Sequence, residues 1–374
     1  MATRTRPEVA VERLFVSAYT IPADEVEVDG TLEWESTTVV VVEAVAGDQT
    51  GIGYTYADVA AARLVEGRLA GVVEGANALE VGRAWCRMAE ELRNTGRPGV
   101  GFMALSAVDC ALWDLKARLL GVSLVDALDA TREVVPLYGS GGFCSYDLER
   151  LAEQLGDWVN EGIPRVKMKV GRDPEADPAR VEAAREAIGS DAELYVDANG
   201  AYERKEALAW AERFAYEWDV TWFEEPVSSA DLEGLRLLRD RGPAGMDIAA
   251  GEYAYVPADF LNLIVAGAVD CLQADVTRCG GLTGLLRAGA LADAHGLSLS
   301  GHCAPQLSAH ALCAVPRLRH LEYFHDHVRV ERMLFDGVLE PEGGALRPDR
   351  ARPGHGLELK HADADAYLVA GGFR

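Results

Sequence analysis

The chain has 374 residues, 49% of them hydrophobic, so it is long enough to bury a large core and to form more than one domain. Its 60 acidic residues outnumber its 36 basic residues and give a formal net charge of −24. This charge argues against nucleic acid and anionic membrane surfaces as partners, and no stretch approaches the roughly 20 apolar residues that span a bilayer.

The amino terminus and the cysteines both indicate a cytoplasmic protein. Residues 1–10 include arginines, but no apolar segment follows them, so we expect no signal peptide. The seven cysteines are scattered between Cys86 and Cys313 and include no CxxC pair. We therefore expect free thiols in a reducing compartment.

The first 130 residues predict an α+β domain. β-Branched residues and helical periodicity predict strands over 9–20 and 36–46, and helices over 77–93 and 103–120. The acidic segment 22–35 is predicted to be a loop, with a turn at Asp29-Gly30.

From Val134 onwards, short apolar strands alternate with amphipathic helices. The predicted strands are VVPLYGS, IPRVKMKV, AELYVDAN, VTWFEEP, MDIAAGE, VDCLQAD, LSLSGH and HLEYF. The predicted helices between them cover 147–161, 177–188, 203–217, 231–241, 257–266, 281–295 and 305–315. Eight strands with intervening helices indicate a closed parallel barrel rather than an open sheet.

Ionisable residues stand at the ends of the second to eighth predicted strands. They are Lys167 and Lys169, Asp197, Glu224, Glu252, Asp275, His302 and Glu322. Successive strands contribute residues spaced by about one strand–helix unit. Because the C-terminal ends of barrel strands meet at one face, this pattern predicts a single ring of functional groups.

The two lysines of this ring alternate with Val166 and Met168, so both can point into the barrel. Buried ammonium groups need compensating anions. Burial and the proximity of a second lysine lower a lysine's pKa, which favours a role as a base.

The three carboxylates that follow are expected to converge, because Asp197, Glu224 and Glu252 end successive strands. Oxygen ligands of this kind suit Mg²⁺, which leaves coordination positions open for substrate oxygens. Salt bridges with the lysines are the alternative interpretation.

Two further residues of the ring predict proton transfer. Asp275 can fix the tautomer of His302 and raise the basicity of its other ring nitrogen. Glu322 can donate a proton to a developing enediolate if it is kept protonated, or it can be a structural partner.

With these residues, the chain resembles the enolase superfamily, and within it the mandelate racemase group, over essentially its whole length. The resemblance implies an α/β fold, a modified TIM-type (β/α)7β barrel with an N-terminal α+β capping domain completed by the C-terminal segment. It implies a capping domain over 1–130, a barrel over 131–328, and a segment over 329–374 that returns to the capping domain. Asp275 in LQADV stands where the muconate-cycloisomerase-like and dipeptide-epimerase-like groups carry a lysine, which favours the mandelate racemase type.

The resemblance also implies a role for each residue. Lys169 is the expected base, Lys167 neutralises the substrate carboxylate and lowers the pKa of Lys169, and Glu322 is the electrophilic acid. Asp275 and His302 form the expected dyad on the opposite face of the substrate. One Mg²⁺ per active site is expected on Asp197 in VDANG, Glu224 in FEEP and Glu252 in AGE, with Glu225 as the alternative member of the EEP pair.

Substrate contacts are expected from Asn199, beside a substrate hydroxyl, and from capping-domain loops. The loops suggested by the resemblance are 20–35 and 52–60, and in this part of the chain we expect Tyr19, Trp34 and Tyr54 to contact the substrate.

These residues predict an enzyme that removes the proton alpha to a carboxylate and forms a metal-stabilised enediolate. We expect water to be lost from a sugar acid, mainly because the resemblance implies it, since acid-sugar dehydratases of this family carry bases on both faces; the acidic segment 20–35 also suits a polyol better than an aryl group. A racemase or epimerase of an α-hydroxy acid is the alternative, and a non-catalytic sugar-acid binder is a remote one. The expected partners are the small-molecule carboxylate and, by analogy, further copies of the chain in a homo-oligomer.

Overall fold

The computed structural model describes residues 8–371, which begin with an antiparallel sheet. β-Branched runs form β1 (Arg13–Val28) and β2 (Glu33–Ala46), and β3 (Gln49–Tyr56) pairs with the far side of β2. One face of this sheet packs on helices of the same domain through Val40 and Val42. The other face joins the core of the barrel.

The helices of the capping domain follow directly. They are α1 (Ala60–Leu64), a π-helical turn (Val65–Leu69), α2 (Ala70–Val73), α3 (Val81–Glu91), a 3₁₀ turn (Leu92–Asn94), α4 (Val100–Leu120) and α5 (Leu124–Ala127). Helix α4 is buried on most sides because it lies between the sheet and the barrel.

The prediction of a loop over 20–35 is wrong, since β1 and β2 extend through most of this acidic segment. Glu27 pairs with Trp34, and Val28 pairs with Glu33. The predicted turn at Asp29-Gly30 is confirmed, because Asp29 Oδ1 accepts hydrogen bonds from the backbone of Thr31 and Leu32 at 2.6 Å. Cross-strand backbone pairing compensates for the poor strand propensity of the acidic residues.

The interpretation of 52–60 as a loop is wrong for 52–56, which belong to β3. Two glycines interrupt the hydrophobic alternation of this strand, and close packing requires them. A Cβ atom at Gly51 would lie 2.3 Å from the carbonyl oxygen of Ala111, and one at Gly53 would lie 2.3 Å from that of Ala107. The glycines therefore let α4 pack directly on the strand.

Eight parallel strands close the predicted barrel. They are β4 (Val135–Gly141), β5 (Arg165–Lys169), β6 (Glu193–Asp197), β7 (Val220–Glu224), β8 (Asp247–Ala250), β9 (Cys271–Asp275), β10 (Ser298–His302) and β11 (Leu318–Phe324). They pair in chain order, and β11 pairs with β4 to complete the circle. The predicted fold class is confirmed.

The barrel helices cover the outside of these strands. They are α6 (Leu148–Asn160), α7 (Asp177–Ile188), α8 (Arg204–Trp218), α9 (Leu232–Arg241), α10 (Pro257–Ala266), α11 (Gly281–Ala294), α12 (Pro305–Leu312) and α13 (His325–Leu334). Inside the barrel, an aromatic plug lies beneath the ends of the strands and consists of Tyr138, Tyr195 and Trp222 with Ala249 and Cys271. This plug closes the barrel interior below the ring of charged residues.

The remaining elements are short. They are β12 (Phe335–Asp336), β13 (Ala345–Leu346), β14 (Glu358–Leu359), α14 (His361–Ala364), a 3₁₀ turn (Asp365–Tyr367) and β15 (Leu368–Gly371). Strand β15 pairs antiparallel with β1 in the sheet of the capping domain. Within residues 8–371, no helix has the length and apolar character needed to cross a membrane.

Candidate active site

Strand pairing in register brings the predicted ring of charged residues together at the C-terminal end of the barrel. Lys169 lies beside Asp197 across β5 and β6, and Asp197 lies beside Glu224 across β6 and β7. His302 lies beside Asp275 across β10 and β9. The ring residues are buried: Lys167, Lys169, Asp197, Glu224, Glu252, Asp275, His302 and Glu322 are all at most 6% exposed.

Both lysines contact carboxylates of the ring. Lys167 Nζ lies 2.5 Å from Glu224 Oε1, 2.7 Å from Glu322 Oε1 and 3.2 Å from Asp197 Oδ2. Lys169 Nζ lies 2.6 Å from Asp197 Oδ2. The lysines therefore neutralise part of the buried negative charge.

The predicted lowering of the Lys169 pKa differs from what these contacts produce. Burial is the largest single influence and lowers the pKa of Lys169, as Lys167 also does, but the carboxylates of Asp197, Glu252 and Glu322 together raise it by more, so the net shift is upward. Lys169 acts as a cation for Asp197 in this arrangement. A lysine that acts as a base must be the neutral amine. Lys169 can therefore lose its proton only when another cation compensates the charge of the Asp197 carboxylate.

His302 is held by Asp275 on one side of its ring and faces the site with the other. Its Nδ1 lies 2.7 Å from Asp275 Oδ2, and Oδ1 of Asp275 accepts hydrogen bonds from the backbone and hydroxyl of Thr277 at 2.7 Å. His302 Nε2 lies 3.1 Å from Glu252 Oε2 and 3.3 Å from Glu322 Oε2. The contact between Nδ1 and Asp275 fixes the imidazole ring so that Nε2 is directed towards the carboxylates of Glu252 and Glu322.

The contacts of Glu322 favour its ionised form, whereas the proton donation suggested by the sequence needs its protonated form. Its Oε1 accepts a hydrogen bond from the Ser140 hydroxyl at 2.6 Å and contacts Lys167. Burial alone would raise the pKa of Glu322, but the charges of Lys167, His302 and Lys169 lower it. Proton donation by Glu322 requires that Lys167 turn towards a different anion.

The donor set fits a divalent cation. Six buried carboxylates face one another at the ends of the strands: Asp197, Glu224, Glu225, Glu252, Asp275 and Glu322. The fixed cations among them are Lys167, Lys169 and Arg278, which leaves an excess of negative charge. Among the described residues, the buried oxygen Glu225 Oε1 has no hydrogen-bond partner, and Glu252 Oε2 is contacted at 3.1 Å by His302 Nε2. Oxygen atoms in this state suit a hard cation such as Mg²⁺.

The members of the Glu224–Glu225 pair differ in position. Glu224 ends β7, and Trp222 Nε1 donates to its Oε2 at 3.0 Å. Glu225 follows with a φ of 38°, a left-handed conformation that a non-glycine residue adopts only under strain. One donor atom from each of Glu224, Glu252 and His302 lies within 4.8 Å of the others. The position of Glu224 therefore suits a metal ligand better than that of Glu225 does.

The four predicted substrate contacts lie at different depths. Asn199 follows β6 with a φ of 46°, and its buried Oδ1 has no hydrogen-bond partner among the described residues. Trp34 is half-buried and donates from Nε1 to Glu27 Oε2 at 2.6 Å. Tyr19 is 2% exposed, and Tyr54 is fully buried with its hydroxyl on Glu331 Oε1. Asn199 and Trp34 are the more accessible of the four.

Two residues of this site were not found from the sequence. Arg278 NH1 lies 3.3 Å from Glu252 Oε1, and Cys303 Sγ lies 3.5 Å from His302 Nε2. Arg278 follows Asp275 by three residues, and Cys303 follows His302 directly. The sequence feature that could have identified both residues is their position just after a strand end, where loop residues turn back over the barrel.

Comparison with known families matches both parts of the chain. Residues 28–128 match the family described as mandelate racemase / muconate lactonizing enzyme, N-terminal domain. Residues 150–364 match the family described as enolase C-terminal domain-like.

Individual relatives give the same placement. A mandelate racemase/muconate lactonizing enzyme-like protein from Rubrobacter xylanophilus is 63% identical in its crystal structure, with a TM-score of 0.95 over 96% of this chain and 100% of that chain. A 3,6-anhydro-alpha-L-galactonate cycloisomerase from Streptomyces coelicolor is 34% identical over 93% of this chain and 97% of its own length.

A third relative is an L-talarate/galactarate dehydratase from Salmonella typhimurium, 30% identical over 79% of this chain and 74% of its own length. A crystal structure of this dehydratase liganded with Mg and L-lyxarohydroxamate has a TM-score of 0.90 and 26% identity, over 99% of this chain and 96% of that chain.

Proposed function

Because the chain belongs to the mandelate racemase group of the enolase superfamily, we propose that it removes the proton alpha to the carboxylate of a sugar acid and then eliminates water. The observation that carries this proposal is the pair of basic groups around one carboxylate cluster. Lys169 reaches the cluster from β5, and the Asp275–His302 pair reaches it from β9 and β10. A substrate held between these strands has a proton-transfer group on each face.

Magnesium is the cofactor of this family, and Asp197, Glu224 and Glu252 are the residues that would hold it. When bound, the cation supplies positive charge that stabilises a carboxylate on its way to an enediolate. It also supplies the charge that would free Asp197 from Lys169 and so allow Lys169 to lose its proton.

The chain's own residues then account for the proton transfers. Lys169 Nζ or His302 Nε2 accepts the α-proton, and Asp275 keeps the ring of His302 in the tautomer that directs Nε2 inwards. The group on the other face returns a proton to the departing β-hydroxyl, which leaves as water. Lys167 faces the substrate carboxylate as a fixed positive charge.

The activities named for several relatives support the elimination of water. They include an L-talarate/galactarate dehydratase, an arabinonate dehydratase and an L-rhamnonate dehydratase. A cycloisomerase is the second candidate, because the relative that aligns over 93% of this chain is named as one. Expulsion of a ring oxygen in place of water would use the same α-proton removal. Simple racemisation has less support from these names.

Proton exchange in D₂O distinguishes these outcomes. The enzyme with Mg²⁺ is incubated with mono- and diacid sugars, their anhydro forms and lactones, and simple α-hydroxy acids, and NMR follows the α-proton. We expect loss of the α-proton signal together with resonances of a 2-keto-3-deoxy acid. Ring opening or closure without loss of water would identify the cycloisomerase, and exchange with an intact skeleton would identify a racemase or epimerase.

Substitution of the two bases tests their assignment in the same assay. Lys169→Ala and His302→Asn should each lower the rate by about 10²–10⁴-fold, since this is the usual contribution of a positioned base or acid. Lys205→Ala and His295→Asn are matched controls, because both residues are exposed and neither belongs to the ring. Exchange at the normal rate in the Lys169→Ala, His302→Asn double variant would contradict the assignment.

A further inference from the structure

A second set of metal-type donors includes the proposed base His302 and adjoins the oxygen ligands described above, since His302 Nε2 also lies 3.1 Å from Glu252 Oε2. His302 Nε2 lies 3.5 Å from Cys303 Sγ and 3.3 Å from Glu322 Oε2, and Cys303 Sγ lies 3.3 Å from the same oxygen. One donor atom from each residue therefore forms a small triangle at the barrel mouth. All three side chains are buried, at 6%, 3% and 1% exposure respectively.

The edges of this triangle match a tetrahedral zinc site. Zinc binds thiolate sulfur at about 2.3 Å and histidine nitrogen or carboxylate oxygen at about 2.0–2.1 Å. A tetrahedral angle then puts sulfur about 3.5 Å from the other donors and nitrogen about 3.3 Å from oxygen. The observed edges of 3.5, 3.3 and 3.3 Å differ from these by at most about 0.2 Å.

The backbone holds the thiol in this position at a conformational cost. Cys303 has a φ of 49°, and the following Ala304 has a φ of 43°, so two consecutive non-glycine residues are left-handed. The amide of Cys303 donates to Glu322 Oε2 at 3.3 Å, and its carbonyl accepts from the Ser308 hydroxyl at 2.8 Å. A strained turn at the start of α12 thus aims the sulfur at the catalytic ring instead of into the core.

The sulfur and nitrogen donors of this set favour a different cation from the Mg²⁺ that suits Asp197, Glu224 and Glu252. A thiolate and an imidazole favour Zn²⁺ or Cd²⁺, whereas Mg²⁺ takes oxygen ligands. We propose that His302, Cys303 and Glu322 form a second cation site that takes Zn²⁺ or Cd²⁺ and, when filled, withdraws His302 Nε2 from proton transfer. Binding releases the thiol proton to solvent, because the thiolate is the ligand.

Cadmium binding tests the site directly and needs no substrate. The protein is saturated with Mg²⁺ and titrated with Cd²⁺, and the ultraviolet charge-transfer band of a cadmium–thiolate bond is recorded. The wild-type protein should show the band at one equivalent, and Cys303→Ser should lose it. Cys86→Ser is the matched control, since Cys86 is the exposed cysteine of the described chain and this variant should keep the band.

Three results would overturn the proposal: no band in the wild-type protein, a band that persists in Cys303→Ser, or a band that Cys86→Ser abolishes. His302→Asn retains the thiol but removes a ligand, so its Cd²⁺ affinity should fall by at least about 10-fold. Unchanged affinity in this variant would exclude the histidine. The readout is independent of the substrate, so a failure here leaves the proposed elimination reaction untouched, and the converse also holds.

Inhibition by zinc tests the functional part of the proposal. In the exchange assay with Mg²⁺ in excess, Zn²⁺ should inhibit Cys86→Ser as it inhibits the wild-type enzyme. Cys303→Ser, compared with its own rate without zinc, should need at least about tenfold more Zn²⁺ for the same fractional inhibition. Equal sensitivity of the two variants would show that a cation at this site does not withdraw the base.

Discussion

Burial sets the charge of individual side chains around the barrel mouth, and Glu27 in β1 is the clearest case. Its side chain is fully buried, Oε2 accepts a hydrogen bond from Trp34 Nε1, and Oε1 has no hydrogen-bond partner among the described residues. Burial raises the pKa of Glu27 most, the Asp326 carboxylate raises it further, and the resulting pKa is about 9. The folded protein therefore holds this carboxyl in its neutral form at neutral pH.

Glu27→Gln should make the folded protein more stable at alkaline pH. In the unfolded chain this carboxyl loses its proton near pH 4.5, whereas the folded state keeps it until about pH 9. The folded state thus binds more protons, and its stability falls as the pH rises through this window. Glutamine carries no proton to lose, so we expect a gain of about 1–3 kcal/mol at pH 8 and little change at pH 4.

Urea unfolding of the two proteins from pH 4 to pH 9 measures this difference. The exposed neighbour Glu25 offers the matched control Glu25→Gln, whose stability should follow the wild-type pH profile. Parallel profiles for wild type and Glu27→Gln would show that Glu27 is ionised in the folded state.

The ring residues could be predicted from sequence because each belongs to a repeated local pattern. A strand places Lys167 and Lys169 on one face, and parallel pairing puts Asp197, Glu224 and His302 at matching positions. Cys303 and Arg278 follow strand ends without being part of the repeated series of ionisable strand-end residues, and Glu27 lies outside the barrel altogether. Their environment depends on contacts between residues distant in sequence, such as Glu27 with Asp326, which periodicity does not report.

At the scale of elements, the capping-domain strand β3 attaches to the barrel helix α13 through buried polar contacts. Tyr54 Oη donates to Glu331 Oε1 at 2.5 Å, and Tyr56 stacks on His327 at a ring angle of 6°. Burial raises the pKa of Glu331 to about 8, although the hydrogen bond from Tyr54 opposes this shift. The tyrosine hydroxyl is therefore a main stabiliser of a carboxyl that has no access to water.

Tyr54→Phe should destabilise the protein by about 1–3 kcal/mol, because it leaves a buried acceptor without its donor. Glu331→Gln keeps an acceptor for the hydroxyl and should cost less. A double-mutant cycle measured by urea unfolding should give a coupling energy of about 1 kcal/mol or more between the two residues. The control Tyr216→Phe removes a hydroxyl from a side chain that is 79% exposed and should change little. Additive effects of Tyr54→Phe and Glu331→Gln would disprove the coupling.

The barrel elements were predicted more accurately than those of the capping domain, and the reason is physical. Helices over 177–188 and 257–266 have the predicted bounds, since their apolar faces and terminal prolines are local signals. Strand β3 carries no such signal because Gly51 and Gly53 break its alternation to admit α4. The ends of β1 and β2 were missed because their pairing across Asp29 depends on the turn and not on composition.

At the scale of the whole molecule, the capping domain and the barrel share one hydrophobic core. Tyr19, Ile21, Val39 and Val41 of the capping sheet belong to the same buried cluster as the outward-facing residues of the barrel strands. The sheet's other face forms a second cluster with α3 and α4. A change that stabilises or destabilises the barrel should therefore also change the stability of the capping domain.

Magnesium should raise the melting temperature of the entire chain. Cation binding to the folded state alone stabilises it by about 2.7 kcal/mol at a concentration 100 times the dissociation constant. The shift relieves repulsion among buried carboxylates that the lysines only partly neutralise. Fluorescence and far-ultraviolet circular dichroism should report the same upward shift, because the shared core couples the two domains.

Removing one proposed ligand separates this effect from nonspecific screening of a chain with a net charge of −24. Glu252→Gln keeps the size of the side chain but loses the charge, so its melting temperature should respond to Mg²⁺ no more than to an equal ionic strength of NaCl. Asp173→Asn, at an exposed position, removes the same charge and should keep the full response. If Glu252→Gln kept the full response of Asp173→Asn, Glu252 would not be a ligand, and if all the proteins responded to Mg²⁺ only as they do to NaCl, general screening would explain the stabilisation.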